Sequence, residues 1–385
     1  MIKIDPQKII DLSEEYIQQM MPIIQEKYRI LKTENDINPF TGEPVVNLFE
    51  DSNGELNEEL IKTILIDPFP DRYKQLYPQL EFYYKTAVLA FYDENYLKWK
   101  LKKRTISREH LTKVREDNII SLNNPWIDSD ITHTDHIHYK NSWKKYKMLI
   151  THIKCKLDRL NKSIGKMIDY KYLTDKMRHY ILCSLEIRVC PYCNRQYITT
   201  YNKNKSLRST SDLDHFYPKV AFQLYSLTLF NFIPACSICN SRFKKARKLK
   251  ILYLYEKGFE DQVTFKVKPT STYNINSLIG NTNDFDLVLE LNSAYSDDDD
   301  DEIKGHLEMF RLEEVYQSHK DYVQELLYKS KAYSSAYKEM TEQLLKTKLS
   351  EEEFNLFLFG VVGNEKDLLN KPLSKLTIDI LDLRK

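Results

Sequence analysis

Glycine is scarce in this chain, with 8 residues in 385. None of them forms GxxxxGK[ST] or GxGxxG, the loops whose bare backbone closely approaches nucleotide phosphates. The chain therefore has no recognisable nucleotide-binding loop of its own.

Long apolar runs are also missing. No stretch of about 18 apolar residues occurs, and the first residues contain no apolar segment before a cleavage site, so we expect neither a membrane span nor a signal peptide. The six cysteines are too sparse for a secreted disulfide framework, and four of them form two CxxC pairs. This usage is typical of a metal site in a reducing cytoplasm.

Charge is balanced overall but uneven locally. Lysine and arginine total 57 against 56 acidic residues, yet six of the ten residues from Ser241 to Lys250 are basic. A local basic surface binds phosphates whatever the total charge. The predicted phosphate-binding residues are Arg242, Lys244, Lys245, Arg247 and Lys248. The acidic run Asp297 to Glu302 is expected to be a solvated loop, because like charges repel.

The length allows two to three domains at about 150 residues each. The pattern predicts an α+β protein, with mostly helical N- and C-terminal regions around a small metal-stapled core. We expect a helical scaffold over 1–185, the core over 186–255, and a two-stranded segment followed by helices over 256–385.

Periodicity and turn residues predict individual elements. A helix should begin at Asp5 and Pro6 and should kink or end at Pro22, because proline removes a helical hydrogen bond. Residues 35–57 should form a loop. Further helices are predicted at Leu80 to Lys103, Lys140 to Ile168, Leu173 to Leu185 and Ile303 to about Lys348.

Two strands are predicted after the core. Val263, Phe265 and Val267 alternate with polar residues, and the segment Phe285 to Leu291 nearly does, so the two could pair. Ser350 with Glu353 is a capping-box signature that starts a later helix.

The cysteine pairs CPYC and CSIC supply four thiolates, the number that closes a tetrahedral zinc site. The 42 residues between Cys193 and Cys236 exceed the usual gap of about 15 to 20 residues, so the segment between the pairs must be a structured insert. The predicted zinc ligands are Cys190, Cys193, Cys236 and Cys239.

CPYC is also the active-site sequence of glutaredoxins, in which a reactive cysteine starts a helix. That interpretation leaves CSIC unexplained, and the segment before Cys190 has helical rather than strand periodicity. Cys155 and Cys183 stand alone in helical patterns, where cysteine is usually a small buried hydrophobe.

The insert contains DLDHFYPK and LTLFNFIPACSICNSRFKK, with Asp214 beside His215, then Asn231, and Asn240 directly after CSIC. This order resembles the ββα-metal core of the HNH endonuclease superfamily, over about 60 residues from Cys190 to Lys250. The resemblance implies an endonuclease with a catalytic Mg²⁺ or Mn²⁺ and a structural Zn²⁺. The core of this chain also has a weaker resemblance to the HNH subunits of Septu-type antiphage systems, which act beside a separate ATPase.

The resemblance also implies roles. Asp214 and Asn240 would present oxygen atoms to one cation, as Mg²⁺ prefers. His215 would be the general base, since an unperturbed imidazole accepts a proton near neutral pH. Asn231 would orient the His215 segment. Lys244, four residues after Asn240, would meet the substrate phosphate, although some family members have a histidine ligand nearby.

Two other interpretations remain open. The same residues could belong to a zinc-stapled module that binds nucleic acid, DNA being the favoured partner, without cleaving it. A second cluster, His133, Asp135, His136 and His138, could offer metal ligands, but no further ligand pair follows at a suitable spacing, so a polar loop is expected there.

Overall fold

The structure is a computed structural model that describes residues 1–67, 76–102, 124–128, 143–203, 206–271, 275–292, 297–333, 335–361, 363 and 365–383. Within these ranges the chain is a mixed α+β protein in which helices predominate and the sheets are small and antiparallel. The helices are α1 Gln7–Ile10, α2 Ser13–Glu34, α3 Glu58–Ile66, α4 Pro78–Lys102, α5 Pro125–Asp128, α6 Trp143–Ile164, α7 Asp175–Ser184, α8 Ile275–Leu278, α9 Asp297–Phe310, α10 Leu312–Tyr316, α11 Lys320–Ala332, α12 Ser335–Leu345, α13 Glu351–Phe359, α14 Glu365–Asn370 and α15 Ser374–Leu381. The strands are β1 Thr200–Lys203, β2 Ser206–Ser209, β3 Ser211–His215, β4 Phe232–Cys236, β5 Val263–Pro269 and β6 Phe285–Leu291, and a π-helix spans Ile238–Lys244.

The N-terminal helices follow the apolar periodicity, with two differences in their boundaries. The first helix begins at Gln7, whose backbone N–H donates to Asp5 Oδ1 at 2.9 Å. Pro22 lies inside α2, which continues to Glu34, so of the predicted kink or end, the end is wrong. Pro22 is on the exposed side of the helix, where water can solvate the carbonyl that loses its hydrogen bond, while buried Met20, Met21 and Ile24 hold the other side against the core.

The acidic run is helical rather than a loop. Helix α9 begins at Asp297 and includes the whole run. Carboxylates at a helix start face the positive end of the helix dipole, which offsets their mutual repulsion. The predicted helical region that follows is interrupted, because Arg311 adopts a left-handed conformation with φ 51°.

The predicted pair of strands after the core is confirmed. Strands β5 and β6 are antiparallel, with Val263 opposite Leu291 and Pro269 opposite Phe285. Burial alternates along both strands, as expected for a sheet with one face on the core. The capping box at Ser350 and Glu353 is also confirmed, and it begins α13.

The core of the molecule is one continuous cluster of buried side chains that extends from the N-terminal helices to α15. Strands β3 and β4 and the π-helix lie within it. Tyr192 stacks on Phe310 of α9 at a centroid distance of 4.6 Å. A Cβ at Gly305 would collide with the backbone of Lys250, so this glycine lets α9 pack directly against the segment after the π-helix. Among the described residues, no helix is long and apolar enough to cross a membrane.

Candidate metal centre and active site

Four buried cysteines lie together. The ligand atoms of Cys190, Cys193, Cys236 and Cys239 are all within 4.8 Å of one another. Four sulfur atoms at this spacing fit a structural metal such as zinc. Burial raises the pKa of the Cys190 thiol, and a buried thiolate needs a cation beside it. In the part of the chain that the structure describes, no other group of three or more such side chains is assembled for a metal.

The two CxxC pairs reach this cluster from different elements. Cys190 and Cys193 lie in a turn whose Asn194 N–H donates to the Cys190 carbonyl at 2.8 Å, whereas Cys236 ends β4 and Cys239 lies in the π-helix. A glutaredoxin-type cysteine needs to lie at the start of a helix. Cys190 does not start a helix. Cys155 and Cys183 are exposed and stand apart from the cluster, so the expectation that they are buried is wrong.

The segment between the pairs folds into an antiparallel hairpin followed by the π-helix. Asp214 lies opposite Ile233 and His215 opposite Phe232. Because side chains alternate along a strand, Asp212 and Asp214 occupy one face of β3, while His215 points to the other. The candidate residues therefore divide between two environments at the end of one strand.

Asp214 is 4% exposed and is held from two sides. Tyr192 donates its hydroxyl to Asp214 Oδ2 at 2.7 Å. The Lys244 ammonium lies 2.8 Å from Oδ2 and 3.1 Å from Oδ1, and it also donates to the His215 carbonyl at 2.6 Å. Lys244 is 3% exposed, so it lies inside the protein rather than on the predicted phosphate-binding surface.

Asn240 does not meet Asp214. Its amide donates to Asp212 Oδ2 at 3.1 Å, so the π-helix places Asn240 against Asp212 and Lys244 against Asp214. Both oxygens of Asp214 are already bonded, Oδ2 to Tyr192 and Lys244 and Oδ1 to Lys244, so a metal cation at this carboxylate would have to replace the Lys244 ammonium. The predicted second ligand, Asn240, is instead bonded to a different carboxylate.

His215 is fixed through one ring nitrogen. Nε2 lies 3.0 Å from the Ser226 carbonyl, and since a carbonyl only accepts, Nε2 carries the proton and Nδ1 keeps its lone pair. The ring packs against Tyr170 and Phe232 at centroid distances of 4.8 and 5.3 Å. Burial lowers the pKa of His215 to about 4, so the imidazole is neutral at pH 7.

Asn231 closes the loop between β3 and β4. Its Oδ1 accepts the Tyr217 N–H at 2.8 Å, and its Nδ2 donates to the carbonyls of Tyr217 at 3.2 Å and Tyr225 at 2.8 Å. Tyr225 directly precedes Ser226, whose carbonyl holds His215. The buried amide thereby fixes the turn on which the imidazole orientation depends.

Several residues at the site were not singled out by the sequence. Tyr192 and Asp212 bond the candidate residues directly, and Tyr170 packs on His215. Lys219 and Arg178 each lie 5.1 Å from the Tyr170 ring centroid, and Arg178 is also paired with Asp175 at 3.1 Å. Lys219 and Tyr192 do lie in the quoted motifs DHFYPK and CPYC, whereas Tyr170 and Arg178 are distant in sequence and carried no signal.

The basic run is partly exposed. Arg242, Lys245 and Arg247 are exposed and Lys248 is half-buried, with its ammonium 5.9 Å from the Phe91 ring centroid. The π-helix ends at Lys244, so the later basic residues lie beyond it. The histidine cluster from His133 to His138 lies outside the described residues.

No protein-family model matches this chain, and neither the curated proteins nor the solved structures contain a similar one.

Proposed function

We propose that the protein is an HNH-type, metal-dependent endonuclease that hydrolyses phosphodiester bonds in nucleic acid. One observation carries the proposal: a neutral histidine, fixed through Nε2 and with Nδ1 left as an acceptor, ends the strand that also holds a buried carboxylate. This combination supports a general base beside a cation-binding group. The four-cysteine cluster would hold a structural zinc.

His215 would take the proton from the attacking water. The Ser226 carbonyl fixes the ring in the tautomer whose Nδ1 can accept, and the low pKa keeps it unprotonated at neutral pH. Asn231 is a positioning residue, because it fixes the Tyr225 carbonyl next to Ser226. Lys219 and Arg178, near Tyr170, would attract the phosphate backbone towards the His215 side.

Asp214 would hold Mg²⁺ or Mn²⁺. When bound, such a cation polarises the scissile phosphate and stabilises the leaving oxygen. Tyr192 orients the Asp214 carboxylate, and Lys244 balances its charge in the buried site. The exposed basic residues Arg242, Lys245 and Arg247, with Lys248, would bind the substrate backbone without reading sequence.

A second function has one observation in its favour. Lys244 contacts both oxygens of Asp214, the carboxylate that a catalytic cation would need. A zinc-stapled module that binds nucleic acid without cleaving it would retain this ion pair. The antiphage role and the partnership with a separate ATPase, for which the weaker resemblance is the only support, are proposals for either function.

The deciding experiment incubates the purified protein with plasmid, linear duplex DNA and RNA, in Mg²⁺, in Mn²⁺ and in chelator. We expect metal-dependent cleavage that leaves a 5′-phosphate. His215→Ala should reduce the rate by about 10²- to 10⁴-fold, the usual contribution of a general base. His152→Ala, at an exposed histidine of α6, is the matched control and should cleave normally.

Zinc content should be unchanged in both histidine variants. His215→Ala should melt lower, because it loses the bond to Ser226 and the packing on Tyr170 and Phe232, so its rate is measured per folded molecule below its melting range. Cleavage by His215→Ala at the wild-type rate would refute the assignment of the base. Wild-type protein that binds nucleic acid but never cleaves it, with either cation, would favour the binding module.

A further inference from the structure

The hairpin formed by β1 and β2 is exposed on both faces. Tyr201, Asn202 and Lys203 are consecutive and all exposed, as are Leu207, Arg208 and Ser209 on the partner strand. Consecutive side chains of a strand point to opposite faces, so each face carries exposed side chains. A two-stranded hairpin needs packing support to be stable in water, and helix α7, Asp175–Ser184, gives that support on one face only, where it contacts both strands.

The hairpin exposes large side chains. Tyr201 is 48% exposed and Leu207 38%, and Tyr197, which precedes β1, is 61% exposed. The register places Tyr201 opposite Arg208 and Lys203 opposite Ser206, so Tyr201, Lys203 and Arg208 share one face. We call these three residues the ribbon face.

The charge of this segment has one sign. Residues 196–211 contain Lys203, Lys205 and Arg208 but no aspartate or glutamate, in a chain whose acidic and basic residues are otherwise nearly equal in number. The ribbon face is therefore locally positive and aromatic, a combination that favours a nucleic-acid partner.

The hairpin is also connected to the candidate active site. Only Thr210 separates β2 from β3, which carries Asp214 and His215. Helix α7 also connects the hairpin to the His215 site. At one point of the helix, Cys183 Sγ lies 3.2 Å from Thr200 Oγ1 of the hairpin. At another, Arg178 lies over Tyr170, the ring that packs on His215. Arg178 and Cys183 are about 7.5 Å apart along the helix axis, at about 1.5 Å per residue.

Thr200 lies on the face of the hairpin opposite the ribbon face, because it is adjacent to Tyr201 in the strand. The contact with α7 is therefore made by the other face, and the ribbon face is turned away from α7. A ligand on the ribbon face would therefore not have to displace the helix.

We infer that the β1–β2 hairpin is a second substrate contact that lies in the major groove of duplex DNA, next to the site of cleavage; this inference rests on the proposed nuclease function. The major groove of B-form DNA admits a two-stranded ribbon, whereas the major groove of A-form RNA is too narrow for side chains to enter. Lys203 and Arg208 bind phosphates or base edges, and Tyr201 packs against the groove wall.

The test measures binding of a fluorescent DNA duplex by anisotropy, with no divalent cation added. Lys203→Ser/Arg208→Ser removes two charges from the ribbon face. Lys266→Ser/Lys268→Ser is the matched control, because it removes two exposed lysines from a strand of the other two-stranded sheet. We expect the ribbon variant to bind about tenfold more weakly and to lose about 1.8 from the slope of log affinity against log salt, and the control to bind as wild type does.

Single-stranded DNA of the same sequence and duplex RNA are the other two ligands. The ribbon variant should lose less affinity for either than for duplex DNA. Equal weakening by both variants, or an equal loss on all three ligands, would overturn the inference. Unchanged melting temperature and zinc content show that each variant is folded.

The two proposals fail separately. If the wild type binds duplex DNA through the ribbon face but cleaves nothing, the nuclease function is wrong and the DNA contact stands. If the wild type cleaves and the ribbon variant binds normally, the ribbon contact alone is wrong.

Discussion

Among the residues that the structure describes, two lysine–aspartate pairs are buried, and they differ in what surrounds them. Lys375 and Asp379 lie four residues apart on α15, with side chains 1% exposed. Lys244 and Asp214 join the π-helix to β3, with side chains 4% and 5% exposed. Both pairs need close partners, because an unpaired buried charge is costly.

The α15 pair is satisfied by backbone groups. Lys375 Nζ donates to the carbonyls of Glu260 at 3.1 Å and Val263 at 2.8 Å, and to Asp379 at 2.6 Å. Asp379 also accepts the Phe265 N–H at 3.0 Å. These bonds fasten α15 to the β5 segment, which is a structural role.

The other pair is placed where chemistry could occur. Asp214 is followed by a neutral histidine with an acceptor nitrogen, and Lys244 bonds the carbonyl of that same histidine. A buried ion pair is therefore not evidence of function in itself. The groups next to each ion pair, rather than its burial, distinguish a candidate site from a pair that only stabilises the fold.

Removing the zinc that we propose for the four-cysteine cluster should have the largest effect, because the first cysteine turn contacts both lysine–aspartate pairs. Tyr192 bonds Asp214, and Asn194 Oδ1 accepts the Lys375 N–H at 3.0 Å. Structural zinc contributes on the order of 10 kcal/mol to folding in small domains. We expect Cys236→Ser to lose zinc and to melt far below the wild type, as measured by elemental analysis and thermal unfolding.

Cys155→Ser, at an exposed cysteine outside the cluster, is the control and should keep both zinc and stability. A zinc-free Cys236→Ser protein with the melting temperature of the wild type would show that the cluster does not support the two lysine–aspartate pairs.

Breaking each pair should separate the structural pair from the functional one. Lys375→Met and Lys244→Met each leave a buried carboxylate unpaired, which costs about 3 to 5 kcal/mol in denaturant unfolding. Per folded molecule, Lys375→Met should cleave as wild type does. Lys244→Met should change the Mg²⁺ or Mn²⁺ concentration that gives half-maximal cleavage, because it removes the cation that faces Asp214.

The double variant Lys375→Met/Asp379→Leu should regain most of the lost stability, since no charge is left unpaired. An altered metal dependence in Lys375→Met would contradict the structural role of the α15 pair.

The sequence predicted the elements that local patterns determine. Alternation identified β5 and β6, Ser350 with Glu353 identified the start of α13, and the paired cysteines identified the cluster. These features depend on neighbours within a few residues or on residue chemistry alone.

The sequence did not predict what depends on distant contacts. Lys244 belongs to a basic run by composition, but the fold buries it against Asp214. Asn240 was expected to share a cation with Asp214, yet the π-helix brings it to Asp212. The helix continues past Pro22 because its opposite side packs on the core through Met20, Met21 and Ile24, and helix propensity alone does not contain that information.

Lowering the pH tests the state of His215 at the candidate site. Burial holds its pKa at about 4 instead of 6.5, so cleavage should stay constant as pH falls through 6.5 and decline only as pH approaches about 4. That range lies below the pH of about 6.5 at which an unperturbed histidine would protonate. A pH–rate profile of kcat/KM measures this.

The same shift links stability to pH. The unfolded chain binds a proton at His215 below pH 6.5, while the folded protein resists it until about pH 4. Stability should therefore fall as pH falls across this window, and His215→Gln should remove part of that fall. His152→Gln, at an exposed site, should leave it intact. A rate that halves near pH 6.5 in the wild type would contradict the buried, neutral imidazole.

The smallest expected effect concerns salt, and it tests whether Lys244 belongs with the basic run or with its ion pair. Only charges that neutralise phosphates release counterions, at a slope of about 0.9 per contact on duplex DNA. Arg247 is exposed, so Arg247→Ala should reduce the slope of log affinity against log salt by up to about 0.9. Lys244 is already neutralised by Asp214 inside the protein, so Lys244→Met, compared at equal folded fraction, should leave the slope unchanged although it lies three residues away. If both variants reduced the slope equally, Lys244 would have to leave Asp214 when nucleic acid binds, and the carboxylate would then be open to a cation in the complex.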